Sequence, residues 1–546
     1  MADVLQEYAP TNESVYSFLR KQAKQYKSQT AISFYGRRIS YRTLFAKIDE
    51  VAKALVALGV TKDDVVASSL PGCPEGIYLL YAVNKIGAIY CAFDCRAKSE
   101  EIKETIKTFS PKLCVVPSFQ LSQFRDIREC TTVFLSPIHS LGAMEKLYSI
   151  PTDLFTGRTF LRARNWSIFS YDQFIRQGKT VALGKTQSST QNIFGYFYTS
   201  GTTYGRKSVI LTNENINAAV TIHRLRNTRI QSGQSLLNIM PLFTCYSVTL
   251  ATHLPLCYGV TVKLIPLLNP KKMKKVLLKE KPNYIITVPA HWEFFIKEDF
   301  KDCDLSFLFS IVIGGDTMHP AYRKKLEGIL REHGAGDTLQ FGYGLSETTS
   351  TAVSAFSAPE NSVGYVLPYM QVAICHPETG EPLPAGEKGE ICICGPTLCK
   401  GYFREKELTD KLLRKHSDGN LWLHSGDCGY LDETGALYFC ERYKRMYVRF
   451  DGTKISPYSI EQGLSACELV EECLVVAVTD EAHSHGKCAK AFVVLKEGED
   501  KIDAAFKLQK YCEKYMDEHM QPKQIVIVSR LPHTANGKLE YFEKTS

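Results

Sequence analysis

Apolar residues recur at two different spacings along the chain, and the alternation between them predicts the architecture. Val15, Phe18 and Leu19 have helical spacing, and Ala31 to Phe34 has the character of a strand. Ile48, Val51, Ala52 and Leu55 mark one helix face that stops at Gly59. Val65 to Leu70 predicts a strand, Glu75 to Ile86 a helix, Ala88 to Phe93 a strand, Glu100 to Phe109 a helix and Leu113 to Val116 a strand. Such a rhythm implies parallel strands joined by crossover helices. Residues 117–190 mix Pro, Ser and Thr with short apolar pieces, and Gly184 to Gln191 has the composition of a linker. The alternation then resumes, with buried-strand candidates at Leu236 to Leu242, Thr261 to Ile265, Tyr284 to Val288 and Phe309 to Ile313.

Near Ser362 the pattern changes. Val363 to Leu367, Gln371 to Cys375, Gly389 to Cys394 and Ala436 to Cys440 are short strands between Gly and Pro turns, which predicts a small antiparallel barrel over about 362–441. Beyond Arg442 a last piece follows. Ser459 to Ala466 and Asp503 to Glu518 are helical, and Cys473 to Thr479, Cys488 to Leu495 and Ile525 to Val528 are strands. The fold class expected is α/β. A large N-terminal domain, 1–441, holds two parallel-sheet α/β subdomains and the barrel, and a small α+β domain, 442–546, follows.

Composition narrows the function classes. A chain of 546 residues exceeds what one core supports, so several domains or subdomains are expected. No apolar run is long enough to span a membrane, and Met1 to Pro10 lacks the pattern of a secretory signal. The formal charge of +8 is mild for this length and suits small anionic ligands without pointing to nucleic acid. The densest basic run, Lys271 to Lys275, leads into Val276, Leu277 and Leu278 and predicts a helix with a solvated face. The 18 cysteines lie in strand-like runs, with no Cys-x-x-Cys pair. They read as reduced, buried small hydrophobes of a cytoplasmic protein, and a structural zinc site is not expected.

The most chemically loaded stretch is Thr199 to Lys207. An aromatic strand, Phe194 to Tyr198, enters it and Val209 to Leu211 leaves it. It holds the hydroxyls of Thr199, Ser200, Thr202 and Thr203, glycines at Gly201 and Gly205, and the cations Arg206 and Lys207. Glycines let backbone N–H groups converge into an anion-binding nest, and hydroxyls and cations add to it. The spacing fails the Walker pattern. The residues alone leave two readings open, a phosphate grip and an exposed hydroxyl-rich turn.

Four further stretches carry chemistry. Gly314-Gly315-Asp316 follows an apolar strand, where paired glycines let a flat ligand approach the backbone. Tyr343-Gly344-Leu345-Ser346-Glu347 sets an aromatic, a hydroxyl and a carboxylate on one loop. Ser425-Gly426-Asp427 offers a carboxylate after a turn, and Asn536-Gly537-Lys538 a lysine on a turn. Each is also an ordinary structural turn when taken singly.

Taken in order, these motifs resemble the superfamily of adenylate-forming enzymes, which comprises acyl- and aryl-CoA synthetases, peptide-synthetase adenylation domains and beetle luciferases. The resemblance runs from about Ser14 to Tyr541. It implies that Thr199, Ser200, Gly201, Thr202, Thr203 and Lys207 hold the β- and γ-phosphates of ATP. It implies that Gly314, Gly315, Asp316, Tyr343 and Gly344 surround the adenine, with Tyr343 stacked on it. Ser346 would reach phosphate or the substrate carboxylate, and Glu347 would hold Mg²⁺. Asp427 would bind the ribose hydroxyls with help from Arg442. Lys538 would bridge the acid and the α-phosphate, with Lys538, Glu347, Ser346 and Thr199 forming the catalytic set. The C-terminal domain would be mobile and turn about Lys444 between two half-reactions, bringing Gly452 in to pass a pantetheine arm. The thiol would belong to coenzyme A or to a carrier-protein phosphopantetheine.

The chain departs from that family's pattern in places. Tyr204, Arg206 and Ser208 stand where Gly, Pro and Gly are usual, and Glu441 replaces a glycine before Arg442. Thr244 occupies the usual aromatic or His gate of the acyl pocket. No aspartate lies between Met240 and Leu250 to pair an α-ammonium, and a buried ammonium without an anion is costly. The expected substrate is therefore a neutral-tailed carboxylic acid, fatty or aromatic. Its pocket would draw on Thr244, Tyr246, Ser247, His291, Gly315 and Gly342. The expected activity is an AMP-forming acid–thiol ligase. The alternatives are a stand-alone enzyme that loads an acyl carrier protein, and a non-catalytic nucleotide or acyl binder.

Overall fold

The computed structural model describes residues 8–124, 127–136, 139–140, 168–184, 192–199, 207–226, 229–266, 268–292, 294–316, 318, 320–336, 339–355, 358–483, 486–496, 501–533 and 539. Two large sheets form the main body. One has seven strands in the order Ile168–Ser170, Thr131–Leu135, Leu113–Pro117, Val65–Ser68, Ile89–Ala92, Ile193–Tyr198 and Ser208–Thr212. All its neighbours are parallel except the last pair, an antiparallel hairpin. The other has nine strands. Leu339–Tyr343, Ser310–Gly314, Tyr284–Thr287, Ser235–Asn238, Thr261–Leu264 and Thr30–Phe34 run parallel, and antiparallel strands flank both edges.

The two sheets are not consecutive in sequence. Thr30–Phe34 joins the nine-stranded sheet, whereas the next long apolar strand, Val65–Ser68, joins the seven-stranded one. Period-2 apolar runs fix strand type but carry no address for the sheet. The two sheets share one interior. Helix Pro74–Lys85 is buried from Pro74 through Asn84, and helix Asn213–Arg226 is buried over its first eight residues. Such helices are covered on all sides, which explains their weak amphipathicity. Alternation along each strand separates inner from outer face. Val66 and Leu236 point into the shared core, while Ala67 and Leu237 pack under outer helices. Polar groups pair inside it: Asn84 Nδ2 donates to Asn213 Oδ1 at 2.7 Å, and Tyr81 OH meets His253 Nδ1 at 3.0 Å.

After Val366 comes a five-stranded antiparallel sheet. It is built from Gln371–Cys375, Gly389–Cys394, Leu413–Lys415, Leu421–Leu431 and Leu437–Arg442. The eleven-residue strand Leu421–Leu431 is absent from the sequence reading, because Ser425, Gly426 and Asp427 interrupt its apolar alternation. Gly426 there has φ of +72°, a backbone state that glycine adopts without strain. The C-terminal piece packs helices Pro457–Ser465 and Lys501–Tyr515 around a three-stranded sheet of Val470–Thr479, Lys487–Leu495 and Gln524–Ile527. Its Glu471 backbone oxygen accepts from Tyr322 OH at 3.1 Å, which ties it to the larger body. Among the described residues no helix is long and apolar enough to cross a membrane.

Candidate active site

The site forms where parallel strands end, the place open α/β sheets offer to ligands. Strand Ser310–Gly314 ends at Gly314, with Gly315 at φ +83° and Asp316 exposed beside it. Its neighbour Leu339–Tyr343 ends at Tyr343. The chain then turns through Gly344 into the one-turn helix Ser346–Thr348. A Cβ at Gly344 would lie 2.0 Å from Ser350 O, so only glycine fits this turn. Thr348 Oγ1 accepts from Leu345 N at 2.9 Å, and Cys399 N donates to Glu347 O at 2.9 Å. These bonds fix Ser346 and Glu347 in place.

Tyr343 OH donates to Asp427 Oδ2 at 2.8 Å. Asp427 stands opposite Arg442 across the Leu421–Leu431 and Leu437–Arg442 pair, with Arg442 Nε 3.2 Å from Oδ1. Asp427 is 1% exposed. Burial raises its pKa, against Arg442 and Tyr343, which lower it. Its Oδ1 is buried and makes no hydrogen bond. Beyond the ion pair with Arg442 that oxygen keeps lone pairs free of hydrogen bonds, and sugar hydroxyls supply donors for them.

Glu347 anchors a second group. Tyr402 OH donates to Glu347 Oε1 at 2.6 Å, and Lys207 Nζ lies 4.7 Å from the centroid of the Tyr402 ring. Tyr402 reaches this point because its segment runs along the hairpin strand Ser208–Thr212. Ile210 N donates to Gly401 O at 2.9 Å and Phe403 N to Ser208 O at 2.8 Å. Burial lowers the pKa of Lys207, and the ammonium of Lys444 lowers it further, opposed by Glu347 and Glu405. Lys207, Lys444 and Arg442 thus converge around Glu347, with Asp316 near enough to Arg442 to stabilise its charge. Several cations beside one hard carboxylate fit a polyphosphate with Mg²⁺, which prefers carboxylate and phosphate oxygens. Sequence reasoning missed Tyr402. Its signal was slight: an aromatic after Cys399-Lys400-Gly401, outside every motif.

Thr199 N donates to Lys207 O at 2.9 Å, which closes the hairpin at the foot of the phosphate loop. Ser200, Gly201, Thr202 and Thr203 lie outside the described residues, as do Tyr204, Gly205, Arg206 and Lys538. Lys444 sits in the short turn Tyr443–Arg445. Glu441, a departure in the sequence, has a structural task here. Its carboxylate accepts from Tyr458 N at 2.6 Å and Ser456 Oγ at 3.2 Å, joining the turn to helix Pro457–Ser465. Gly452 occupies an exposed hairpin at φ +83°, where an added Cβ would meet nothing within 4 Å.

The pocket candidates divide. Thr244 Oγ1 donates to Pro241 O at 3.0 Å and accepts from Ser247 N at 3.2 Å, so its hydroxyl is spent on capping. Ser247 Oγ donates to Met240 O at 3.0 Å inside the core. His291 Nδ1 meets Thr287 Oγ1 at 2.7 Å, and burial lowers its pKa to about 4. Tyr246 packs its hydroxyl against Gly314, where a Cβ would come within 3.1 Å, and that hydroxyl is buried without a partner. Gly342 lines a cavity of about 60 Å³ with Leu236, Leu250, Leu254, Val260, Ile230 and Val312. His223, Arg226, Gln340 and Thr351 add polar edges. His223 Nε2 meets Thr351 Oγ1 at 2.7 Å, and burial holds its pKa near 4. The widened helical turn Ser247–His253 supplies Leu250 to this cavity. Such π-turns are rare and concentrate at functional sites.

Comparison with known proteins fits this geometry. Residues 19–403 match the family model of the AMP-binding enzymes, and residues 459–538 that of the AMP-binding enzyme C-terminal domain. The long-chain-fatty-acid–CoA ligase of Bacillus subtilis (strain 168) is 28% identical, over 98% of this chain and 95% of its own length. The anthranilate CoA ligase AuaEII, solved with anthranoyl-AMP, superposes with a TM-score of 0.81 at 20% identity, over 97% of this chain and 96% of that one. ATP-bound MatB from Rhodopseudomonas palustris gives 0.81 at 20% identity, over 96% and 97%. The chain carries both the main and the C-terminal domain of one family, and it belongs to the AMP-binding enzymes of the adenylate-forming superfamily, as an acid–thiol ligase.

Proposed function

We propose that the protein activates a fatty or aromatic carboxylic acid as acyl-AMP, with release of pyrophosphate, and transfers the acyl group to the thiol of coenzyme A. The observation that carries the nucleotide half is Asp427, a buried carboxylate set between Tyr343 and Arg442, whose Oδ1 is ion-paired to Arg442 at 3.2 Å but accepts no hydrogen bond. Asp427 accepts the ribose hydroxyls, and the ring of Tyr343 offers a π-face to the adenine. Thr199, Lys207 and the rest of the phosphate loop hold the β- and γ-phosphates, joined by Lys444 in the adenylating state. Mg²⁺ held at Glu347 offsets phosphate charge when bound. Tyr402 keeps that carboxylate oriented through its hydrogen bond. Ser346 and Lys538 hold the acid's carboxylate against the α-phosphate, where like charges must meet. Transfer then requires Lys538 to leave and Gly452 to approach, by a turn at Lys444.

The cavity supports a neutral-tailed acid. Among the described residues no carboxylate lines it, so an α-ammonium would have no counter-ion from them there. The relatives include ligases named for long-chain fatty acids and for crotonobetaine or carnitine, so the acid class stays open to test across that range.

The test is pyrophosphate release across short, medium, long and aryl acids, followed by AMP formation with coenzyme A or a holo-carrier protein as acceptor. Release with an acid, and AMP with coenzyme A, are the expected results. AMP with the carrier alone would replace the acceptor. Nucleotide binding without release for any acid would overturn the catalytic reading.

A further inference from the structure

The five-stranded sheet carries a second cluster that the nucleotide chemistry does not use. Its two faces differ in kind. Ile374, Ile391, Ile393 and Leu423 face the main core. The opposite face carries a separate small cluster whose buried members are Cys375, Cys392 and Trp422. Strand register explains what gathers there. Cys375 stands opposite Glu390, and Cys392 stands opposite Ala373 on one side and His424 on the other. Successive side chains alternate, so Cys375, Glu390, Cys392 and His424 share one face. His416 closes over it from the turn before strand Leu421–Leu431, its ring stacked on Trp422 with centroids 5.3 Å apart. That turn is fixed by Trp422 Nε1 donating to Asp418 Oδ2 at 3.0 Å.

The donor atoms converge. Those of Cys375, Cys392 and His416 all lie within 4.8 Å of one another, and so do those of Glu390, Cys392 and His424. His416 Nε2 and His424 Nε2 are 3.0 Å apart. His424 Nδ1 is 2.8 Å from Glu390 Oε2 and 3.5 Å from Cys392 Sγ; a carboxylate there fixes the proton on Nδ1 and leaves Nε2, which faces His416 Nε2, as the donor. Tetrahedral zinc with bonds of about 2.3 Å to sulfur and about 2.0 Å to nitrogen spaces its ligands about 3.3–3.8 Å apart, below the 4.8 Å within which the atoms of each trio lie.

We propose that Cys375, Cys392, His416 and His424 form a structural zinc site, with Glu390 orienting His424. The alternative use of these residues as ordinary core is poor. Two imidazoles, a carboxylate and two thiols are an expensive filling for a face whose apolar content is one tryptophan and a few small side chains. The charges balance once metal is present. Two thiolates neutralise Zn²⁺ on releasing their protons, and Arg414 lies near Glu390 and Cys392. The absence of a Cys-x-x-Cys pair had argued against zinc, but here the ligands come from three strands and a turn, and cross-strand register does the work of sequence spacing.

Two hydrogen bonds tie this face to the strand segment just before Asp427. Glu390 Oε1 accepts from Gly426 N at 2.9 Å, and Ser425 Oγ donates to Ile391 O at 2.6 Å, immediately before Asp427. Metal at this position braces the strand that presents the ribose-binding carboxylate.

The experiment uses the full chain, expressed with zinc in the medium and purified without chelator. Elemental analysis should find about one zinc per chain. Cys392→Ser and His416→Gln should each lose it. His416 lies on a turn and is half-buried, so His416→Gln keeps the test open if Cys392→Ser does not fold. Replacement by Co²⁺ should give the intense visible bands of a tetrahedral thiolate site, absent in Cys392→Ser. Zinc-free protein from zinc-supplemented cells, zinc retained at full stoichiometry in both variants, or a Cys375–Cys392 disulfide in freshly purified protein would each overturn the proposal.

Discussion

Tyr343→Phe isolates what the tyrosine hydroxyl does for Asp427. The ring is kept, so stacking on a purine is kept. The lost group is the donor 2.8 Å from Asp427 Oδ2. Asp427 is buried, and burial already raises its pKa above the ordinary 3.8. A hydrogen bond to an ionised group contributes about 1.5–3 kcal/mol. At about 1.4 kcal/mol per pH unit, losing it moves the Asp427 midpoint up by a further 1–2 units. The sign for folding follows from proton counts. Between 3.8 and the folded value the native chain binds more protons than the unfolded one, so stability falls as pH rises through that window, and the substitution widens it. The sign for function is opposite. Only the carboxylate offers acceptors to two sugar hydroxyls, so ATP use needs pH above the folded midpoint.

The assay is kcat/KM for ATP against pH, which reports groups of the free enzyme. The wild type should show an acid limb. In Tyr343→Phe that limb should move to higher pH by about 1–2 units, with a small change on the alkaline plateau. Asp427→Asn should lower the plateau and remove the limb. A limb unmoved in Tyr343→Phe, with the limb still present in Asp427→Asn, would refute the assignment of that titration to Asp427.

Other substitutions test other parts. Gly344→Ala should abolish stable folding or cost several °C in melting temperature, because its Cβ would sit 2.0 Å from Ser350 O, and a fully stable variant would contradict the turn geometry. Glu461 is buried, accepts from Arg445 Nη2 at 2.6 Å, and burial lifts its pKa to about 7. Stability should therefore fall as pH rises from its ordinary value of 4.5 to about 7, by about 3 kcal/mol at most, and thermal melts of Glu461→Gln should lack that slope. Lys538→Ala should cut pyrophosphate release severely while preformed acyl-AMP still yields thioester, and a bulky residue at Gly452 should do the reverse. Equal losses in both half-reactions would sink the rotation about Lys444.

The sequence made much of this legible, for identifiable reasons. Tyr343, Glu347, Asp427 and Arg442 sit in short motifs whose residue types suit the proposed ligand, and apolar strands such as Ser310–Gly314 stand out because both faces are covered. Three things were hidden. Sheet membership was hidden, since nothing in Thr30–Phe34 or Val65–Ser68 tells which sheet each will join. Strand Leu421–Leu431 was hidden by its own middle: Gly426 at positive φ and the polar Asp427 break the alternation that would reveal a strand. Pairings across long separations were hidden, as with Tyr402 on Glu347 and His223 on Thr351.

One further long-range pair, Lys207 and Lys444, bears on the proposed swing of the C-terminal domain. Lys207 lies at the end of the phosphate loop, and Lys444 lies in the turn about which the C-terminal domain is proposed to swing. The two ammonium groups are near enough for Lys444 to lower the pKa of Lys207. Like charges at that range repel, so without nucleotide the contact resists this arrangement. A triphosphate reverses the sign, because both cations then gain by facing it. Release of pyrophosphate removes much of that negative charge and restores the repulsion. The pair therefore couples the charge held by the loop to the position of the turn. Lys444→Met should raise the melting temperature of the nucleotide-free protein and reduce the further rise produced by ATP, both read by thermal shift. A nucleotide-free melting temperature lowered by the substitution, with the ATP increment intact, would refute the coupling.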